Sequence, residues 1–296
     1  MQYNIVQSKG KTFSSVSKGY ETFLVNGFAQ SSLNDIIYIA SDGNELANIA
    51  SLLEYINPKL KILRFPAWDT VPYDRVSPNP AIIATRIECL SELALNPVSK
   101  TPRIIITSVG AVLQRLPLKK IFLNSTREVV VGSRLNFNDF IHYLSINGYT
   151  KVAQVYEQGE YAVRGDIIDI FPVGTDEPLR IDLFDDEVER IRKFDVMSQR
   201  TTSELKSYTF KVMSEVVLDA NTIKTFRSKY REAFGADFSG DEIYEAVSNN
   251  MKYIGIENWL PFFYDETLPT IFDYLPMAQV VIGHNVLDAL KSKNDS

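Results

Sequence analysis

Residues 36–65 read IIYIASDGNELANIASLLEYINPKLKILRF, and the way this stretch divides decides the fold. IIYIA (36–40) is an apolar, β-branched run of strand length. NELANIASLLEYI (44–56) sets Leu46, Ile49, Leu52, Leu53 and Ile56 at helical spacing, and KILRF (61–65) is strand-like again. Strand, helix and strand joined by a few residues form a crossover unit, which makes the two strands parallel.

Outward from that unit the alternation continues. An amphipathic stretch around Tyr20 to Phe28 precedes it; a helix from about Pro80 to Leu95, a strand at Arg103 to Thr107 and a short helix in SVGAVLQRL, with Ser108 as its N-cap, follow. The expected fold class is α/β, with a parallel-sheet body. One connection is irregular: PAWDTVPYDRVSPNP (66–80) holds four prolines, a tryptophan and a tyrosine. A connection of this kind is either a functional loop or a lid packed by its own aromatics, and packing is the favoured reading.

From about Thr126 the texture changes. EVVV (128–131) reads as a strand, NDFIHYLSIN (138–147) as a helix stopped by Gly148, and KVAQVY (151–156) as another strand. Three β-like runs follow, VRGDIIDIF, LRIDLF and VERIRKF, joined by short turn-forming segments, so an antiparallel meander is expected. This is a second, smaller α+β unit ending near Phe210. Helical patterns at Asn221 to Phe234 and Asp241 to Asn249, then an apolar strand QVVIG (279–283), make the last segment mixed again.

Composition bounds the function. The chain has 296 residues, 45% hydrophobic, 11% aromatic and 23% charged, the ordinary globular range. Its apolar runs are strand-sized, far short of the roughly 20 residues that span a bilayer. MQYNIVQSKGKTF lacks the apolar core of a secretory signal, and the single cysteine, Cys89, has no intramolecular disulfide partner, so a cytoplasmic protein is expected. With 37 acidic against 31 basic side chains, the net charge of -6 opposes broad attraction to nucleic acid, leaving room only for a local basic patch.

Most catalytic patterns fail on spacing. GKT at Gly10 to Thr12 would need a glycine at position 5 to wrap a phosphate, and Ile5 stands there; SVSKGY (15–20) has lysine and glycine in the wrong order. Two histidines, His142 and His284, and one cysteine do not make a zinc cluster, so no metal or cofactor is expected. The acids at Asp185, Asp186 and Glu187, and at Asp265 and Glu266, read as turn formers, and no strand-turn-helix elbow presents a nucleophile.

The meander remains. In LRIDLF, strand alternation turns Leu179, Ile181 and Leu183 to the core and leaves Arg180, Asp182 and Phe184 on the other face. Arginine beside an aromatic is the composition of a binding centre. The alternative is structural, with Phe184 buried by the neighbouring unit and Arg180 paired with Asp182 or Asp166. Residues 159–195 hold eleven acids against five bases, so a protein suits this surface better than a nucleic acid.

GEYAVRGDIIDIFP (159–172), PLRIDLFDDEVERIRKFD (178–195) and SQRT (198–201) resemble the second domain of the bacterial transcription-repair coupling factors, the Mfd family, and more distantly that of the excision-repair protein UvrB. FPAWDTVPYDRVSP (65–78), SVGAVLQRLP (108–117) and GIENWLPFFYDETLPTIFDYLP (255–276) favour the Mfd family, and the resemblance runs from about Ile36 onward. It implies a UvrB-like module: a degenerate helicase-like parallel-sheet body, residues 1–125 and 211–296, interrupted by a small α+β domain at 126–210. It further implies a non-catalytic N-terminal module that recruits the damage-sensing ATPase UvrA to stalled RNA polymerase in nucleotide excision repair. Carried over position by position, Arg164, Arg180 and Phe184 match the family's UvrA-contacting residues. ATP, DNA and RNA polymerase are expected to belong to domains beyond this chain, and a C-terminal domain of the same protein to mask the docking face at rest. The alternatives are a UvrB-like nucleotide- and DNA-binding repair component and an intramolecular autoinhibitory module.

Overall fold

The structure, a computed structural model, describes residues 10–17, 19–71, 74–235 and 240–294. Ile5 and Lys18 of the two failed phosphate-loop patterns, and Pro72 and Tyr73 of the proline-rich connection, lie outside the described residues.

The first part runs α1 (Tyr20–Ser31), β1 (Ile36–Ala40), α2 (Gly43–Ile56), β2 (Lys61–Phe65), α3 (Pro80–Leu95), β3 (Arg103–Ser108), α4 (Val109–Val112) and α5 (Lys119–Asn124). Helix starts follow local chemistry. The Asp42 carboxylate caps α2, and Asn79 caps α3 with Pro80 as its first residue. Ser108 does occupy the N-cap position of α4, but its side chain makes no capping hydrogen bond, because the residue is buried at the end of β3.

The middle part runs β4 (Arg127–Val130), α6 (Phe137–Ile146), β5 (Thr150–Lys151), β6 (Glu160–Arg164), β7 (Ile167–Ile170), β8 (Leu179–Phe184), β9 (Glu187–Phe194), β10 (Thr201–Leu205) and β11 (Ser207–Phe210). Two expectations are corrected. VRGDIIDIF is not one run: Gly165, at φ +61, opens a two-residue turn that folds it into the hairpin of β6 and β7. KVAQVY is a strand only at its first residue, because Val152 and Val155 leave the sheet edge to join a small apolar cluster with Ala162 and Phe171. Gly148 ends α6 as expected, at φ +90; a side chain there would also meet the Ser214 Cβ at 2.5 Å.

The last part runs α7 (Ala220–Phe234), α8 (Glu242–Ser248), a 3₁₀ helix (Ile256–Phe263), α9 (Ile271–Tyr274), β12 (Gln279–Ile282) and α10 (Val286–Asn294). β12 adds to the edge of the first sheet, whose order is β12-β1-β3-β2 with every pair parallel. Both faces of that sheet are covered, which is why β1 and β3 are buried along their whole length. Ile36, Tyr38, Ile104 and Ile106 meet α1 and α2, while Ile37, Ile39 and Ile105 face the side of α3.

The second sheet, β10-β9-β8-β7-β6-β5, is antiparallel except at the β5–β6 edge. Its inner face, including Ile168, Ile181 and Ile191, shares one continuous core with α3, α6 and the first sheet. β4 and β11 form a separate two-stranded ribbon where the chain enters and leaves this part.

A buried ion pair ties the return segment to the body. Arg86 donates from Nε to Glu215 at 2.5 Å and from an Nη to its other oxygen at 3.1 Å, with both side chains inaccessible to solvent. The described part of the proline-rich connection packs here, in line with the packing reading. The Trp68 indole donates to Glu215, Ser77 to Glu257, and the Asn258 amide to the carbonyls of Asp74 and Val76. Among the described residues, no helix is long and apolar enough to cross a membrane.

Candidate functional site

The outer face of the six-stranded sheet carries the residues that alternation left facing away from the core. Register sets them in rows. Arg164 lies opposite Ile167, and Ile167 opposite Asp182 and then Arg190; Asp169 lies opposite Arg180, and Arg180 opposite Arg192. Phe184 sits further along β8, toward the end where the β6–β7 turn folds over and the Asp166 carbonyl accepts from the Leu183 amide.

Asp169 is the hub of this face. Arg180 donates to one of its oxygens from Nε at 2.6 Å and to the other from Nη2 at 2.9 Å, a two-point clamp, and Arg164 adds an Nη2 contact at 2.6 Å. The carboxylate is nearly inaccessible, its side chain 2% exposed, whereas the side chains of Arg180 and Arg164 are 16% and 51% exposed. Beneath Arg180 the Phe194 ring lies 4.5 Å from the guanidinium carbon, and Gln199 accepts a further hydrogen bond at 3.1 Å. The hydrogen bonds to Asp169 push the Arg180 pKa up and hold it charged against the opposing effect of burial.

Arg192 forms the neighbouring pair, 2.6 Å from Asp182. Three guanidinium groups thus share two carboxylates within this cluster, which leaves one positive charge over. Phe184 projects from its edge at 72% exposure with no apolar cover.

The structural alternative is therefore corrected in two respects. Phe184 is not buried by the neighbouring unit, since β8 ends at the hairpin tip. Arg180 pairs with neither Asp182 nor Asp166, because register sets Asp169 directly across from it. The structure brings Arg164 and Arg180 onto one carboxylate, with Phe184 on the same face. Sequence reasoning missed Asp169, Arg192, Phe194 and Gln199. The signal for Asp169 was Gly165: a turn there pairs β6 with β7 and turns Asp169 to the arginine face.

A second location bears on nucleotide chemistry. Parallel α/β sheets hold phosphates at the helix N-terminus after a strand, which here is Ser41 to Gly43, not Gly10. That position is filled by the chain's own anions. Asp42 accepts from the Asn44 and Glu45 amides at 2.8 and 2.9 Å, and Glu45 accepts from the Ser41 amide at 2.5 Å.

Comparison with known proteins bears on the same region. Residues 128–215 match the family model described as the UvrB interaction domain. The chain is 33% identical over 267 residues to a transcription-repair-coupling factor of Haemophilus influenzae, covering 90% of this chain and 23% of that protein. It is 31% identical over 265 residues to the one from Escherichia coli, again 90% and 23%, and 31% identical over 268 residues to that of Rickettsia bellii, 90% and 24%. The chain spans about a quarter of the length of these curated relatives.

Proposed function

The chain is a module of the transcription-repair-coupling factor family that carries a UvrB interaction domain, and from that premise we propose that it recruits UvrA through the face centred on Asp169. The observation that carries this reading is the geometry of Arg180. Its Nε and Nη2 are committed to Asp169, so the side chain is already ordered and its Nη1 edge remains to meet a carboxylate of UvrA. Arg164 supplies a second, more exposed guanidinium, and Phe184 the apolar anchor.

In this reading the module has no catalytic role. Asp42 and Glu45 occupy the amides that a nucleotide phosphate would need, and a phosphate brought there would face two carboxylates. The parallel sheet completed by β12 supports a helicase-like body at 1–125 and 211–296, with 126–210 inserted as the UvrA-binding domain. RNA polymerase, DNA and ATP are then tasks of other parts of the parent protein, one of which covers the docking face until the protein is activated.

Calorimetric titration of UvrA with the chain and its Arg180→Ala variant tests the assignment. The variant is expected to lose about 2 kcal/mol or more, roughly thirty-fold in affinity. An Arg180→Ala protein with native unfolding behaviour and undiminished affinity would refute it.

A further inference from the structure

We propose that the exposed face of α7 binds the phosphate backbone of nucleic acid, at a site separate from the Asp169 face. Lys224, Arg227, Ser228 and Arg231, with Ala220 and the half-buried Ile223, line a shallow depression of about 460 Å³ along this helix. Among the described residues, none of the three cations has an ion-pair partner. The capping acids of α7 and α8 are spoken for. Asp219 accepts from the amides of Asn221 and Thr222, and Asp241 from the Tyr244 amide and the Tyr230 hydroxyl.

Arg227 and Arg231 stand one helical turn apart, where like charges repel. Instead of diverging, they converge on a neutral group, donating from Nε to the Tyr244 hydroxyl at 3.4 and 2.9 Å. Burial pushes that phenol up, but the hydrogen bonds and charges of the two arginines outweigh it and leave its pKa below the ordinary value. The phenol thus lies in the positive field of both arginines. Holding both arginines by Nε leaves their terminal nitrogens to meet an oxyanion.

Three features favour phosphate over an acidic protein segment. The lining is donor-rich and holds no carboxylate. Its apolar content is Ala220 and Ile223, with no aromatic anchor of the kind that dominates protein contacts. The cations from 224 to 231 span about 10 Å of helix, a length over which one strand of a duplex presents about three phosphates.

The test is fluorescence anisotropy of the 296-residue chain with a labelled DNA duplex at several salt concentrations, and with a labelled polyglutamate peptide. The duplex should bind at low salt. The variant carrying Lys224→Gln, Arg227→Gln and Arg231→Gln should bind at least tenfold more weakly, with a log–log salt slope reduced by about 3. Among the described residues the Lys224 side chain forms no ion pair or hydrogen bond, so Lys224→Gln alone keeps the fold and should reduce the slope by about 1. Arg180→Ala should leave DNA binding unchanged, which separates this site from the UvrA face. Equal binding of the wild type and a folded triple variant would overturn the proposal. So would tighter binding of polyglutamate than of duplex, lost in the same variant, which would assign the face to an acidic protein.

Discussion

Asp169 is a buried anion whose two oxygens serve two arginines. Removing its charge leaves Arg180, only 16% exposed, without the partner that offsets its desolvation. Asp169→Asn, nearly unchanged in shape, is therefore expected to cost about 3 kcal/mol in urea unfolding and to weaken UvrA binding as much as Arg180→Ala does. A folded Asn variant that binds UvrA normally would show that Arg180 needs no such support. Alternation within LRIDLF was enough to assign Arg180 and Phe184 to one face. Asp169 was not legible in the same way, because its contact depends on the β7–β8 register.

At the scale of elements, the β6–β7 hairpin aims Arg164. Gly165 adopts φ +61, where a β-carbon is strained although the space around it is open. Gly165→Ala should cost about 1 kcal/mol and move Arg164 off Asp169, so that UvrA affinity falls with little loss of stability; unchanged affinity would place Arg164 outside the contact. The capping box of α9 gives a pH-dependent counterpart. Hydrogen bonds from the Thr270 amide and hydroxyl hold the Asp273 carboxyl below its ordinary value of 3.8. A depressed carboxylate pKa contributes stability that is present above the unfolded value and is lost as pH falls through the folded one. Asp273→Asn should therefore lower the melting temperature at about pH 6 but hardly at about pH 2; an equal loss at both would remove the capping charge from the account. Gly165 was the one local signal of the break between β6 and β7, whereas the departure of Val152 from the sheet edge was illegible, because a local run does not reveal whether it pairs with a neighbour or packs across the sheet.

For the whole molecule, Arg86 and Glu215 join α3 to the segment that follows β11. Breaking such a pair strands a buried charge, so Arg86→Leu should cost about 3 to 5 kcal/mol, while replacing both partners with methionine should recover much of that loss. Because one core runs through both sheets, urea unfolding followed by circular dichroism and by tryptophan fluorescence should give coincident transitions in the wild type. Separate transitions would show that the six-stranded sheet folds apart from the parallel one.

The sequence by itself determined the alternation of strands and helices, the faces of LRIDLF and the acid-rich setting of the meander, because each depends on the spacing of neighbouring residues. Only the tertiary structure decided that β12 returns to complete the first sheet, that Asp169 gathers Arg180 and Arg164, that Phe184 stays exposed, and that the amides of Ser41, Asn44 and Glu45 are already occupied. These depend on the register and packing of segments far apart in the chain, where a partner is chosen by shape and charge across space and not by distance along the sequence.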